Sequence, residues 1–189
     1  MTKNDLDFND SLNEIRSKID KIDLEIFNLL VRRSSCIEQV RTLKCEYFGA
    51  KNSNEFKLFI KPNREDEMLQ NIYSMARSAN CGYTPEFFVN IWRNIISASN
   101  FIEQDLVIGV TSQTSKTAAY KYYGFCSKVA LCESNDLLFS DFQYDKIHIA
   151  ILPSIEFSSD IRHKFSEIFV AKYASFQFEN MEFVCVGKV

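Results

Sequence analysis

The sequence predicts a mainly α N-terminal domain of three helices, over residues 1–104, followed by a small α/β domain over residues 105–189. Three observations predict this arrangement. A single apolar stripe with helical spacing occupies most of the first 45 residues, and two shorter amphipathic segments follow it. After residue 105 the period changes, and short apolar runs alternate with helical segments, which is typical of a small α/β domain.

The apolar stripe runs from Leu12 to Leu43 in steps of three and four residues, which predicts one very long helix. Its members are Leu12, Ile15, Ile19, Ile22, Ile26, Leu29, Arg33, Cys36, Val40 and Leu43. The first glycine is Gly49 and the first proline is Pro62, so neither residue type interrupts the helix. At ~1.5 Å per residue the rod is about 48 Å long. Since shorter neighbours cannot cover such a stripe, the sequence predicts an intertwined dimer of long helices.

Caps, prolines and short apolar runs predict the remaining boundaries. Asp10 or Ser11 is expected to cap the long helix, and Thr84 is expected to cap the third helix. The other predicted elements are a loop over 45–61, helices over 62–79, 85–102, 113–122 and 158–169, strands over 106–110, 128–132 and 146–152, and a hairpin over 175–187 with its turn near Asn180 and Met181.

Composition excludes several classes of function. A net charge of -3 argues against a nucleic-acid partner. The sequence has no apolar run of about 18 residues, so we expect no membrane span, and the polar N-terminus is unlike a signal peptide. The six cysteines contain no C-x-x-C pair, and there are two histidines. We therefore expect reduced thiols in a cytoplasmic protein, with no metal.

Polar residues on the apolar stripes are the candidates for function. Arg33 and Lys44 lie eleven residues apart, which returns to within about 20° of the same helix face, with about 16 Å between their backbones. Glu65 shares the inner face of the second helix, and Ser99 and Glu103 share that of the third. A cation on a stripe meant for burial is typical of a site that faces an anion. We predict that these side chains converge on a small ligand.

Each of these residues also has a purely structural interpretation. Arg33 and Lys44 can extend from the edge of a coiled coil into water. Glu65 can be a first-turn residue that favours the helix dipole. Ser99 can bond back to its own helix, and Glu103 can be a solvated residue near a helix end. Neither interpretation is excluded by the sequence alone.

Arg16 carries a geometric argument of its own. It lies seventeen residues before Arg33, hence about 25 Å away along the rod and about 100° around its axis. One small ligand cannot contact both residues of the same chain. If Arg16 contributes to a site, it contributes to the site of a second chain.

These residues resemble the all-helical, AroQ-type chorismate mutases over residues 10–104. The shared pattern is I-R-x-x-I-D, an R-R after a leucine run, a lysine eleven residues later, P-x-R-E and I-S-A-S. The resemblance implies an intertwined helical homodimer with two shared active sites. It also implies that chorismate is converted to prephenate by a Claisen rearrangement, without metal or cofactor, in phenylalanine and tyrosine biosynthesis.

The resemblance implies a substrate-binding role for five residues. Arg16 would reach across the dimer to a substrate carboxylate. Arg33, assisted by Ser99, would bind a carboxylate in its own subunit. Arg64 would support this anion site, and Glu65 would hold the ring hydroxyl.

The resemblance implies that Lys44 and Glu103 are the catalytic pair, on either side of the ether oxygen of the breaking bond. Many relatives have a neutral glutamine at the position of Glu103. An ionised carboxylate would repel the ether oxygen, so we expect Glu103 to act in its protonated form and activity to fall as pH rises. Lys61 stands where many relatives have an aspartate, which bears on the binding of the hydroxyl.

The second domain is similar to prephenate dehydratase in two segments, IGVTSQTSKTAAYKYYG (108–124) and HIAILPSIEFSSD (148–160). It is about half the size of that family's catalytic unit and lacks its Thr-Arg-Phe motif. We therefore expect a degenerate, inactive lobe. Two alternatives to a mutase stay open: a bifunctional mutase–dehydratase, and a non-catalytic helical dimer that senses an aromatic metabolite.

Overall fold

The computed structural model describes residues 3–48, 62–166 and 170–188. Its first part, here the helical region, consists of α1 (Lys3–Phe48), α2 (Pro62–Ser78) and α3 (Pro85–Glu103). α3 packs against both α1 and α2. The predicted three-helix N-terminal part is therefore confirmed.

α1 is longer than the sequence predicted, at both ends. It begins at Lys3, so the prediction that Asp10 or Ser11 caps it was wrong. The residues before the stripe contain no proline or glycine that would end a helix. α1 continues to Phe48, so the first part of the predicted loop over 45–61 is helical, and the rest lies outside the described residues.

The apolar stripe of α1 is exposed in the single chain. Ile15, Ile26 and Leu43 are 54%, 51% and 64% exposed. Leu24 and Phe27, on other faces of the helix, are also exposed. The chain by itself therefore leaves the stripe in water, although the sequence pattern is that of a buried face.

The second part, here the sheet region, is a mixed five-stranded sheet of order β2-β1-β3-β5-β4. Its strands are β1 (Val107–Val110), β2 (Lys128–Leu131), β3 (Ile149–Pro153), β4 (Val170–Phe178) and β5 (Met181–Lys188). β1 pairs in parallel with β2 and β3, whereas β5 is antiparallel to β3 and β4. The predicted α/β part is confirmed, while its division from residues 1–104 as a separate domain stays a prediction.

Helices cover both faces of this sheet. They are α4 (Gln113–Tyr123), α5 (Asn135–Gln143) and α6 (Ser159–Ser166). α4 contributes to the buried cluster that contains Val110 and Phe183. α5 and α6 contribute to the cluster on the other face, around Phe142 and Phe165. Gly109 permits the close packing, since a Cβ there would lie 2.5 Å from Leu138 Cδ1.

Several boundaries in the sheet region differ from the predictions. α5 was not predicted. The strand predicted over 146–152 begins only at Ile149, because the backbone N–H groups of Lys146 and Ile147 donate to the Asp141 carbonyl of α5. The hairpin begins at residue 170 rather than 175, and its turn follows Phe178 as expected. The predicted helix over 158–169 is described only to residue 166.

Candidate active site

Arg33 of α1 contacts Ser99 of α3, where the Arg33 Nη1 donates to the Ser99 hydroxyl. The same hydroxyl donates to the Ile95 carbonyl at 2.7 Å, one turn earlier in α3. Ser99 is buried at 6% exposure. The structural interpretation of Ser99 is therefore confirmed, and the same hydroxyl also accepts from Arg33, while its role in binding a ligand stays a prediction.

Lys44 and Glu103 form an ion pair between α1 and α3, with side chains that are 27% and 21% exposed. Arg33 and Lys44 stand about 16 Å apart along α1, whereas Ser99 and Glu103 stand about 6 Å apart along α3. The two long cationic side chains therefore converge on one turn of α3. The prediction that Arg33 and Lys44 close on a small ligand stays a prediction.

Glu65 of α2 joins the cluster through α3, since its Oε1 accepts from Asn100 Nδ2 at 3.0 Å. Burial raises the pKa of Glu65 above its ordinary value, and the Asn100 hydrogen bond opposes that rise. The carboxyl groups of Asp66 and Glu103 raise the pKa further, while the Arg93 guanidinium lowers it. The first-turn position of Glu65 is therefore also a half-buried position against α3.

Burial lowers the pKa of Arg33 from its ordinary value, and the nearby Glu103 carboxylate opposes that effect. An arginine stays protonated at neutral pH even so. Arg33 is thus a half-buried, permanent cation with a hydrogen-bonding partner on the inner face of α3, which suits the binding of a small carboxylate.

Two of the predicted site residues are exposed. Arg16 is exposed on α1, about 25 Å along the rod from Arg33. Arg64 is exposed in the first turn of α2. Lys61 lies outside the described residues. The remaining predicted residues are brought together where α1, α2 and α3 meet.

The sequence reasoning missed two polar residues on α3. They are Asn100, which binds Glu65, and Arg93, which lies in a cleft beside it. Arg93, Ile96 and Asn100 are spaced by three and four residues, so they share a second face of the helix. That spacing was available in the sequence, but only the packing of α2 shows that this face is covered.

The described side chains at this site carry two cations, one hydroxyl and two carboxyl groups. Among the described residues, no group of three or more His, Cys, Asp or Glu side chains is placed to hold a metal ion. All six cysteines are free thiols. In the same described part of the chain, no helix has the length and apolar character needed to cross a membrane.

Comparison with known proteins gives a match in the helical region. Residues 15–104 match the family model described as chorismate mutase type II. No solved structure gives a significant match to this chain.

Three relatives are each described as a bifunctional chorismate mutase/prephenate dehydratase. The protein of Aquifex aeolicus (strain VF5) is 25% identical over 148 residues, which cover 76% of this chain and 39% of that protein. The Pseudomonas aeruginosa protein is 23% identical over 147 residues, with the same shares of 76% and 39%. The Stutzerimonas stutzeri protein is 27% identical over 118 residues, or 61% and 31%. The chain thus spans well under half the length of these relatives.

Proposed function

We propose that this chain converts chorismate to prephenate in phenylalanine and tyrosine biosynthesis, because residues 15–104 match the family model described as chorismate mutase type II. One observation carries the proposal. Inside the matched region, Arg33 and Lys44 of α1 meet Ser99 and Glu103 on a single turn of α3. The cluster supplies Arg33 for one carboxylate of the substrate and Lys44 for the charge that develops on its ether oxygen.

Binding of chorismate rests on its two carboxylates and its ring hydroxyl. Arg33, oriented by Ser99, binds one carboxylate, and its planar guanidinium suits a bidentate contact. Arg64 supports the anion site from the first turn of α2. Glu65 accepts a hydrogen bond from the ring hydroxyl, while Asn100 holds the carboxylate in place.

The rearrangement is intramolecular, since the ether C–O bond breaks as the new C–C bond forms. It needs no nucleophile, metal or cofactor. The protein contributes by holding the compact reactive conformer and by placing donors where negative charge grows on the ether oxygen. Lys44 and Glu103 contact each other in the structure. The bound substrate would separate them and place its ether oxygen between them, where Glu103 donates only when it carries a proton.

A homodimer with shared sites completes the proposal. The exposed stripe of α1 supports it, because a second copy of the same helix would cover that apolar surface. Arg16 supports it as well, since it lies too far from its own Arg33 to contact the same substrate. Arg16 of one chain would then bind a carboxylate in the site of the other.

Mixing of variants tests the shared site. Arg16→Ala and Arg33→Ala should each be nearly inactive alone. In a mixed dimer, one site carries both changes and the other carries neither. Co-refolding equal amounts should therefore restore about a quarter of the wild-type activity. If the mixture stays as inactive as its components, the two residues act within one chain.

A turnover assay tests the function itself. Addition of the pure protein should remove the absorbance of chorismate, and an unchanged absorbance would favour the non-catalytic sensor. Phenylpyruvate that forms without added acid would instead indicate a bifunctional mutase–dehydratase. The free thiols suit a reducing compartment, and we place the protein in the cytoplasm on that basis.

A further inference from the structure

Arg93 of α3 is bound by the sheet region. Its Nη1 donates to the Tyr122 carbonyl at 2.8 Å. Its guanidinium carbon also lies 5.2 Å from the centre of the Tyr122 ring, within the range of a cation–π contact. Arg93 is 29 residues distant from Tyr122 in the chain, so this contact joins the two regions of the molecule.

The neighbouring residues of α3 are held by the same segment. Asn94 Oδ1 accepts from the Phe125 backbone N–H at 2.9 Å. The hydroxyls of Ser97 and Ser127 are hydrogen-bonded at 2.9 Å. Residues 122–127 of the sheet region therefore fix the face of α3 that lies behind Ser99 and Glu103.

Arg93 and Glu65 line one cleft between the two regions. Its walls include Asp66 from α2 and both Tyr122 and Tyr123 from α4. Among the described residues that line this cleft, Arg93 carries the positive charge. Its guanidinium lowers the pKa of Glu65, against the effect of burial.

The other charged and titratable groups around Glu65 do not replace Arg93. Asp66 and Glu103 are carboxyl groups and raise the pKa of Glu65. Burial raises the pKa values of Tyr122 and Tyr123, so both tyrosines stay neutral. From α1, Lys44 faces Glu103 in an ion pair and Arg33 faces Ser99.

We propose that Arg93 is a positioning residue of the mutase site, held by Tyr122 of the sheet region so that its charge balances the Glu65 carboxylate. This inference rests on the proposed function, in which ionised Glu65 accepts the hydroxyl of the substrate. It gives the sheet region a role in the reaction: it fixes the cation behind a substrate-binding carboxylate.

The test is a pH titration of the Glu65 carboxyl carbon by NMR on the full chain, with the signal assigned by its loss in Glu65→Gln. In Arg93→Gln the midpoint should move upward, because a neighbouring cation is lost. The acidic limb of kcat/KM for chorismate should move by the same amount. Arg93→Lys keeps the charge, so its midpoint should stay close to that of the wild type.

Asn94→Ala is the matched control, since it removes a contact with the sheet region but no charge. Its midpoint should equal that of the wild type. Equal midpoints in Arg93→Gln and wild type, or an equal shift in Asn94→Ala, would overturn the proposal. Arg93→Met replaces Arg93→Gln if the latter does not fold, and loss of folding in both would assign Arg93 a structural role instead.

The two failures can be told apart. If the wild type leaves chorismate unchanged, the proposed function fails, while the NMR titration still decides whether Arg93 acts on Glu65. If the wild type is active and the titration midpoints coincide, only the role of Arg93 is lost.

Discussion

The helical region and the sheet region differ in where their apolar side chains lie. In the sheet region Phe142 and Phe183 are fully buried at 0% exposure, with helices over both faces of the sheet. In the helical region Ile26 of α1 remains 51% exposed although it belongs to a regular apolar stripe. The sheet region thus completes a core within one chain, whereas the helical region leaves its apolar stripe exposed. The candidate site lies in the incomplete region.

Substitutions in the two regions should differ in their dependence on protein concentration. Phe142→Ala removes a fully buried ring, so the free energy of unfolding should fall by about 3–5 kcal/mol at any concentration. Ile26→Ala weakens the contact between chains, so its destabilising effect should be largest at high protein concentration and should shrink on dilution, where the wild-type chains separate as well. Urea unfolding at two protein concentrations measures both. A small, concentration-independent effect of Ile26→Ala would mean that the stripe stays in water.

Lys44→Met separates activity from stability within the helical region. Loss of one donor to the developing charge should raise the barrier by ~3–4 kcal/mol and lower kcat by about 10²–10³-fold. Lys18→Met is the matched control, since Lys18 forms an exposed ion pair with Glu14 on the same helix, and it should keep nearly full activity. If the Lys44→Met protein stays active, the contact between Lys44 and Glu103 has only a structural role.

Gly124→Ala tests the joint between the two regions. Gly124 has a φ of 91°, and an added Cβ would lie 2.8 Å from the Arg93 carbonyl oxygen. The strained backbone should lower the free energy of unfolding by about 1–3 kcal/mol. Gly82→Ala is the control, because a Cβ there meets nothing within 4 Å. If the two variants have equal urea midpoints, the added Cβ at position 124 is accommodated without loss of stability.

Glu65→Gln should have the smallest of these effects. It should change how the free energy of unfolding depends on pH. Since burial raises the pKa of Glu65, the folded state keeps this proton to a higher pH than the unfolded state. Stability therefore falls as pH rises from the ordinary pKa through the raised one, and then levels off. Glutamine still accepts from Asn100 but does not titrate, so the variant should lose this decline.

Urea unfolding at several values between about pH 4 and 8 measures this slope. Glu67→Gln, at an exposed position of the same helix, should leave it unchanged. If Glu65→Gln keeps the wild-type slope of the free energy of unfolding against pH, the Glu65 carboxyl is in an environment like water.

Much of the helical region could be predicted because its signals are local. The three- and four-residue steps of α1, the proline at the start of α2 and the Thr84 cap, which accepts from the Phe87 N–H at 3.3 Å, each act within a few residues. The early start of α1 was missed because a possible cap such as Ser11 does not oblige a helix to begin there. α5 was missed because its nine residues are too short for a clear periodicity.

The candidate site likewise contains residues that could be predicted from the sequence and residues that could not. Residues on the inner faces, such as Arg33 and Glu103, could be predicted because a polar residue interrupts an apolar stripe. Arg93 and Asn100 could not, since α3 is covered on more than one side and the sequence does not say which neighbour covers which face. Whether Arg16 and Arg64 belong to the site stays a prediction.

The spacing between Arg33 and Lys44 also restricts how the chain can change length. Both side chains meet partners on a single turn of α3, so the helix between them sets their separation and their relative angle. Deletion of one residue in that stretch would swing Lys44 by about 100° around the rod, away from Glu103. An insertion or a deletion in this stretch would therefore break one of the two contacts with α3, whereas a substitution on its outer surface would leave both in place.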